Sequence, residues 1–278
     1  MIVTAEDLDD PRLAEYRNLP DPELLRAHGV FVAEGRQVVR LLLASDRFRT
    51  RSLLVSPSSL EGLRDVIEDR PDVPVYVMPV ERLTMLVGFN VHRGCLAIGV
   101  RPPRTMVDAW WREAARARLV VAAERVGDAD NLGALFRNAL AFGADGLLLS
   151  AGCCDPLYRK SIRVSMGAAL RLPYAIDDQW PASLRMMRAA GARVLAMTPQ
   201  SPARDLDEVV ASVALDSTIA VLVGHEGDGL SDMATEAADE RVRIPLAPGV
   251  DSLNVATAAA IALHACRRRL GWPGSSAA

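Results

Sequence analysis

Between Leu119 and Pro245 the chain repeats one pattern: a short, almost wholly apolar run followed by a helical stretch. The runs are Leu119-Val-Val-Ala-Ala, Gly146-Leu-Leu-Leu, Arg193-Val-Leu-Ala-Met and Ile219-Ala-Val-Leu-Val, and Arg241-Val-Arg-Ile-Pro reads as a further strand. Strands without polar alternation must be buried on both faces, and intervening helices supply the cover. The pattern therefore predicts an α/β fold with a parallel sheet over about 108–270. Predicted helices include Leu132–Phe142, Tyr158–Ala169 and a last one from Leu253 to about Leu270. Residues 1–100 read as a smaller α/β unit. Glu23–His28 and Gln37–Leu43 are helical there, and strands fall at Phe31, Arg51, Val75 and Cys95. Arg101-Pro-Pro-Arg stops regular structure, because two prolines remove two donors, so a linker is expected at 101–107. The expected layout is 1–100, the linker, 108–271 and a flexible tail at 272–278.

Composition narrows the function classes. With 278 residues, half of them apolar, the chain has the material for one large or two modest domains. A net charge of −3 disfavours nonspecific coating of nucleic acid but leaves room for local basic patches. Lys160 is the sole lysine, so guanidinium groups carry nearly all the positive charge. The four cysteines form no CxxC pair and have too little histidine nearby for a zinc site, so no metal is expected. The acidic N-terminus lacks the features of a signal peptide, and no apolar run reaches transmembrane length. A reduced, cytoplasmic setting without membrane contact is the expectation.

Three segments at predicted strand-to-helix junctions carry the chemistry, because ligands of such sheets bind beyond the carboxyl ends of the strands. In Asn131-Leu-Gly-Ala-Leu-Phe-Arg137, Asn131 is expected as an N-cap. Arg137 is expected in apolar surroundings that call for an anionic partner, either carboxylate or phosphate. Gly224-His-Glu-Gly-Asp-Gly229 permits close backbone approach to a ligand. It matches neither GxGxxG nor GxxxxGK[ST], which disfavours ordinary dinucleotide and P-loop binding. Ile244-Pro-Leu-Ala-Pro-Gly-Val-Asp-Ser-Leu-Asn254 runs from a strand into a helix start and offers aimed backbone groups. His225 reads as turn filler.

Taken together, in this order, the three segments resemble the SpoU (TrmH) family of RNA ribose 2′-O-methyltransferases in the SPOUT superfamily. The family pattern Asn-x-Gly-x-x-x-Arg falls on Asn131, Gly133 and Arg137. Gly-x-Glu-x-x-Gly falls on Gly224, Glu226 and Gly229, and Ile-Pro with Ser-Leu-Asn falls on Ile244, Pro245, Ser252, Leu253 and Asn254. Asp155-Pro to Ser165-Met-Gly167 also resembles the family, and the match spans about 119–270. One departure is Asp128-Ala-Asp-Asn131 where the family often has Asp-Pro-Gly-Asn.

The resemblance implies a C-terminal trefoil knot and a homodimer with the site at its interface. It also implies S-adenosylmethionine held by Gly224, Ile244 and Leu253, with Thr198 and Leu246 beside it. Arg137 would act at the reacting ribose and its phosphate, presented to the cofactor of the opposite protomer, with Asn131, Glu226, Ser252 and Asn254 orienting it and the substrate. The first 100 residues resemble the small ribosomal-protein-like RNA-binding domain of many members, on Glu34-Gly35 and His92 to Ile98. Arg36, Arg40, Arg47, Arg49 and Arg51, with Asp46 the lone acid among them, are candidate RNA contacts. A second cluster, Arg101, Arg104, Arg112, Arg116 and Arg118 beside Trp110-Trp111, is ambiguous, with packing favoured for the tryptophans. Ribosomal RNA is the expected substrate, with transfer RNA or a noncatalytic RNA-binding role as alternatives. Intact Asn131, Arg137, Glu226 and Asn254 argue against the noncatalytic role.

Overall fold

The computed structural model describes residues 1–17, 21–91, 94–113 and 119–272. His92, Arg116, Arg118 and the tail residues 273–278 lie outside the described residues. Two compact units emerge, Met1–Pro103 with Asp155–Arg171, and Arg104–Cys154 with Leu172–Ala278.

The first unit carries a five-stranded mixed sheet. Its strands are β1 (Ile2–Thr4), β2 (Val30–Glu34), β3 (Arg49–Val55), β4 (Val75–Val77) and β5 (Cys95–Val100), in the order β1-β4-β3-β5-β2. β2 and β3 both pair antiparallel with β5, while β4 runs parallel to β1 and β3. One face is covered by the Arg36–Leu43 helix and by Leu157, Ile162 and Leu170. These three residues explain why Asp155–Arg171 belongs to this unit, whereas the sequence reading kept that stretch inside 108–271. Their burial against Phe31, Val39 and Leu42 outweighs sequence proximity. The single helix expected over Tyr158–Ala169 is two, Arg159–Val164 and Ala168–Arg171. Met166 and Gly167, at φ 53° and 80°, break it, because left-handed residues cannot continue a right-handed helix.

Two candidate RNA contacts in this unit are held internally. Arg40 grips Asp65 with both terminal nitrogens (2.6 and 2.8 Å) and donates to the Gly62 carbonyl at 2.7 Å. Arg51 pairs with Glu15. Both acids lie far away in sequence, which is why Asp46 looked like the lone acid. Arg36 is half-buried beside Gly62, and Arg47 lies over the Phe48 ring. Arg49 is exposed.

The second unit carries seven strands: β6 (Leu119–Ala123), β7 (Gly146–Ser150), β8 (Tyr174–Asp177), β9 (Ala192–Met197), β10 (Arg204–Asp205), β11 (Thr218–Val223) and β12 (Glu240–Arg243). Their order is β10-β12-β9-β11-β6-β7-β8, and every neighbouring pair is parallel, as the apolar runs require. One face packs Val120, Ala122, Leu148, Val194 and Leu222 against Trp110, Leu184, Met187 and Ala234. Trp110 is thus core, and Gly146 leaves room for its ring: a Cβ there would lie 2.9 Å from Nε1. The helices Ala129–Ala141, Leu206–Ser212 and Val255–Leu270 pack together as a separate group, the last of them against β6 and β11. Buried Arg267 ties the last helix to the end of the Ala129–Ala141 helix. Its Nε donates to the Phe142 carbonyl at 2.9 Å, and Nη2 donates to that of Gly143. These are carbonyls a helix end leaves unpaired, at its negative pole. Arg101 and Arg104, from the second cluster, pair with Asp155 and Asp178.

None of the four cysteines is in a disulfide. Burial pushes Cys95 and Cys266 up to about 12 from 9.0, and raises the Tyr16 phenol despite its hydrogen bond to Ser52. The folded chain holds these protons more tightly, so the unfolded chain loses them first as pH rises. Their contribution to stability is therefore full below about pH 9 and falls from there towards 12. We expect a lower urea midpoint at pH 10.5 than at pH 8, and native Cys95 and Cys266 that resist iodoacetamide at pH 8. Equal midpoints, or rapid labelling of either thiol, would contradict this burial.

Candidate active site

The sheet changes direction between β6 and β11, since β7 and β8 continue to one side of β6 and the later strands lie on the other. Loops leaving the carboxyl ends of β9, β11 and β12 enclose a cavity of about 380 Å³ there. This is within the range of small-molecule sites. Asn131, Thr198, Gly224, Glu226, Ile244, Leu246, Ser252, Leu253 and Asn254 all line it, together with Met197, Pro199, His225, Val255 and Ala258, which the sequence reading had not named as site residues. Val223, Ile244, Leu246, Leu253 and Val255 supply apolar wall, while Asn131, Thr198, Glu226, Ser252 and the glycine loop make the rest polar.

Asn131 is not the N-cap that was expected. Asp128 takes that place: its Oδ1 accepts from the backbone N–H of Asp130 (2.8 Å) and Asn131 (3.0 Å). The helix therefore starts earlier, at Ala129, and Asn131 sits in its first turn with its amide free for tertiary contacts. Its Nδ2 donates to Glu226 Oε1 at 3.0 Å, and its Oδ1 accepts from Asn254 Nδ2 at 2.7 Å. Asn254 is the N-cap of the Val255–Leu270 helix, accepting from Ala256 N–H (2.9 Å) and Thr257 N–H (3.2 Å). One asparagine thus joins two capped helix starts to the glycine loop.

That loop is a tight turn. His225 and Gly229 exchange backbone hydrogen bonds at 3.1 Å, and His225 Nδ1 accepts from the N–H of Gly227 and Asp228. His225 is a tie inside the turn, in accord with its reading as filler. Gly224 touches the far side: a Cβ there would stand 2.4 Å from the Gly229 carbonyl carbon. Only glycine fits. Beyond the turn, Ser231 caps the Asp232–Ala237 helix and is held by Glu124, a residue the sequence reading missed. Glu124 is buried. One oxygen accepts from Ser231 Oγ (2.7 Å) and Trp180 Nε1 (2.9 Å), the other from Ser231 N–H (2.7 Å). The signal was a carboxylate directly after an apolar strand, though its partners lie 56 and 107 residues away.

Arg137 does not reach the cavity. It is exposed on the Ala129–Ala141 helix and has no hydrogen-bond or ion-pair partner among the described residues. The apolar surroundings inferred from Leu135, Phe136 and Ala139 belong to the buried side of that helix, about a hundred degrees or more around from Arg137. Ile244 and Pro245 lie past the end of β12 rather than within it, which is what lets Ile244 face the cavity.

The SpoU rRNA Methylase family model matches residues 118–264. The chain belongs to this family. A protein named as an uncharacterized tRNA/rRNA methyltransferase from Mycobacterium tuberculosis H37Rv is 42% identical over 262 residues, covering 93% of this chain and 89% of its own. The AdoMet-bound rRNA methyltransferase from Sinorhizobium meliloti has a TM-score of 0.79 at 25% identity, covering 97% of this chain and 98% of its own. The SpoU methyltransferase AviRb from Streptomyces viridochromogenes, solved with AdoMet, has the same fold with a TM-score of 0.76, at 24% identity and covering 94% and 99%.

The loop geometry yields a direct test. Gly224→Ala must open the turn around Gly229, and we expect affinity for S-adenosylmethionine in calorimetry to fall at least about tenfold, about 1.4 kcal/mol. Asn131→Asp sets a carboxylate against Glu226 and should lower it as well. Parental affinity in both variants would show that this turn does not shape the cavity.

Proposed function

We propose that this chain transfers the methyl group of S-adenosylmethionine to a ribose 2′-hydroxyl of RNA, with ribosomal RNA favoured over transfer RNA. Family membership makes it an S-adenosylmethionine-dependent RNA methyltransferase; the atom methylated and the choice of RNA are our reading. The observation that carries it is the Glu226–Asn131–Asn254 hydrogen-bond chain at the rim of the cavity. It holds the family's three motif segments in one place. The similarity to the Sinorhizobium rRNA methyltransferase runs over 97% of this chain, so it includes the N-terminal unit, and this favours ribosomal RNA.

The cavity suits the cofactor. Apolar wall from Val223, Ile244 and Leu246 would take the cofactor's planar ring, and backbone groups at Gly224, Ile244 and Leu253 would hold its polar edge. When bound, the cofactor supplies a methyl group already activated by its positive sulfur. The protein's task is to position the hydroxyl and relieve the charge that develops on its oxygen. Arg137 performs the second role. A guanidinium is a poor proton acceptor, so it stabilises the developing alkoxide while a substrate phosphate or a water takes the proton. Ser252 and Asn254 face the reacting centre, and Asn131 keeps Asn254 and Glu226 in register. This scheme uses no metal.

Because Arg137 is exposed and away from its own chain's cavity, we read the active form as a homodimer in which Arg137 serves the cofactor of the partner subunit. A trefoil knot at the C-terminal loops is part of the same reading. It is supported by β11 entering between β9 and β6, and β12 between β10 and β9. The cytoplasm is the proposed location. The N-terminal unit is the proposed RNA-binding domain, with Arg36, Arg47 and Arg49 among its candidate contacts.

We expect Arg137→Ala to bind S-adenosylmethionine with parental affinity while methyl transfer to RNA drops at least about a hundredfold. Near-parental turnover would remove Arg137 from the mechanism. Mapping 2′-O-methyl sites in ribosomal and transfer RNA from a deletion strain and its parent identifies the substrate. Loss of a site only in transfer RNA would overturn the ribosomal preference.

A further inference from the structure

Arg125 stands two residues past β6, at the carboxyl end of a central strand, with φ 52°. This left-handed backbone is one that residues with a Cβ rarely adopt. The surroundings impose it. Glu124 N–H is fixed to the Val223 carbonyl at 2.8 Å, Arg125 N–H to Ser150 Oγ at 2.9 Å, and Cys154 N–H to the Val126 carbonyl at 2.8 Å. Glycine would occupy the position without strain, so the arginine side chain, rather than the backbone, needs an explanation.

That side chain does little for the fold. Its stem lies against Gly152, where a Cβ would stand 3.0 Å from Arg125 Cγ. Its guanidinium makes no hydrogen bond among the described residues. The nearest carboxylate, Asp228, is 3.9 Å away, and the two side chains are 45% and 75% exposed. Such a pair is weak and readily exchanged for another anion. Asp228 belongs to the Gly224–Gly229 turn that walls the cavity, so the guanidinium stands beside the site. Glu226 lines the same cavity, with Asp128 N–H 3.4 Å from its Oε1. A polyanion approaching the carboxylates of Asp128, Glu226 and Asp228 needs a cation among them, and Arg125 is placed to be it.

We propose that Arg125 binds a backbone phosphate of the substrate RNA beside the nucleotide to be methylated. A planar fork with no competing hydrogen bond suits a phosphate. The proposal rests on the chain being an RNA methyltransferase.

The test uses deproteinised ribosomal RNA and transfer RNA from a deletion strain as probes, with Arg125→Gly, Arg125→Gln and Arg125→Lys compared with the parent. For the Gly and Gln variants we expect RNA dissociation constants about fivefold higher at 0.15 M salt, and a salt dependence shallower by about one unit of slope. Arg125→Lys should keep the parental slope. Calorimetry should give unchanged S-adenosylmethionine affinity throughout. Arg125→Gly should melt at or above the parental temperature, which a residue needed for the fold would not do. Parental RNA affinity and slope in the Gly and Gln variants overturn the proposal while leaving the enzyme reading intact. A parent that binds S-adenosylmethionine but neither RNA sinks both.

Discussion

Asn131 receives one hydrogen bond and gives another across the same site. Its carbonyl accepts from Asn254, its amide donates to Glu226, and neither contact is local in sequence, at 123 and 95 residues apart. A side-chain amide can do this and a carboxylate cannot, because only the amide has both a donor and an acceptor at its tip. The consequence is that two helix starts and one glycine turn, on three different loops, are tied together. Asn254 shares its two polar atoms in the same way: Nδ2 goes to Asn131, and Oδ1 caps its own helix. The loops beyond the strand ends would otherwise be the loosest part of an α/β unit.

A second clamp works from the far side. Buried Glu124 receives three hydrogen bonds, two of them from Ser231, so the exit of the glycine turn is tied to β6 just as its middle is tied by Asn131. The turn between these anchors has no slack, since Gly224 already meets the backbone of Gly229. A cavity built this way is largely formed before ligand arrives, so ligand binding carries little cost of ordering the loop.

The sequence was most legible where burial is symmetric. β6, β7, β9 and β11 are apolar but for Arg193 and the end residues Ser150 and Thr218, and each was found within a residue of its observed ends. Short or half-exposed strands were missed. β1, β8 and the two-residue β10 carry no periodic signal, and their existence depends on the neighbours they pair with. The helix start at Asp128 was misplaced for a related reason: Asp128 and Asn131 are both good caps, and local preference does not rank them. Tertiary bonding to Glu226 and Asn254 decides between them. The arginines show the same limit. Arg40 and Arg51 read as a free basic patch until Asp65 and Glu15 arrive from 25 and 36 residues away.

The amino-acid sequence alone determined the parallel sheet, the three motif segments and their order, because hydrophobic period and turn chemistry are local properties. Tertiary structure alone decided that these segments meet at one cavity, that Asn131 is a bridge rather than a cap, and that Asp155–Arg171 packs with the first unit. It also decided that Arg137 stands in solvent, away from the cavity its own chain forms. Each of these depends on contacts between residues far apart in the chain, and no local pattern encodes which distant partner a side chain will meet.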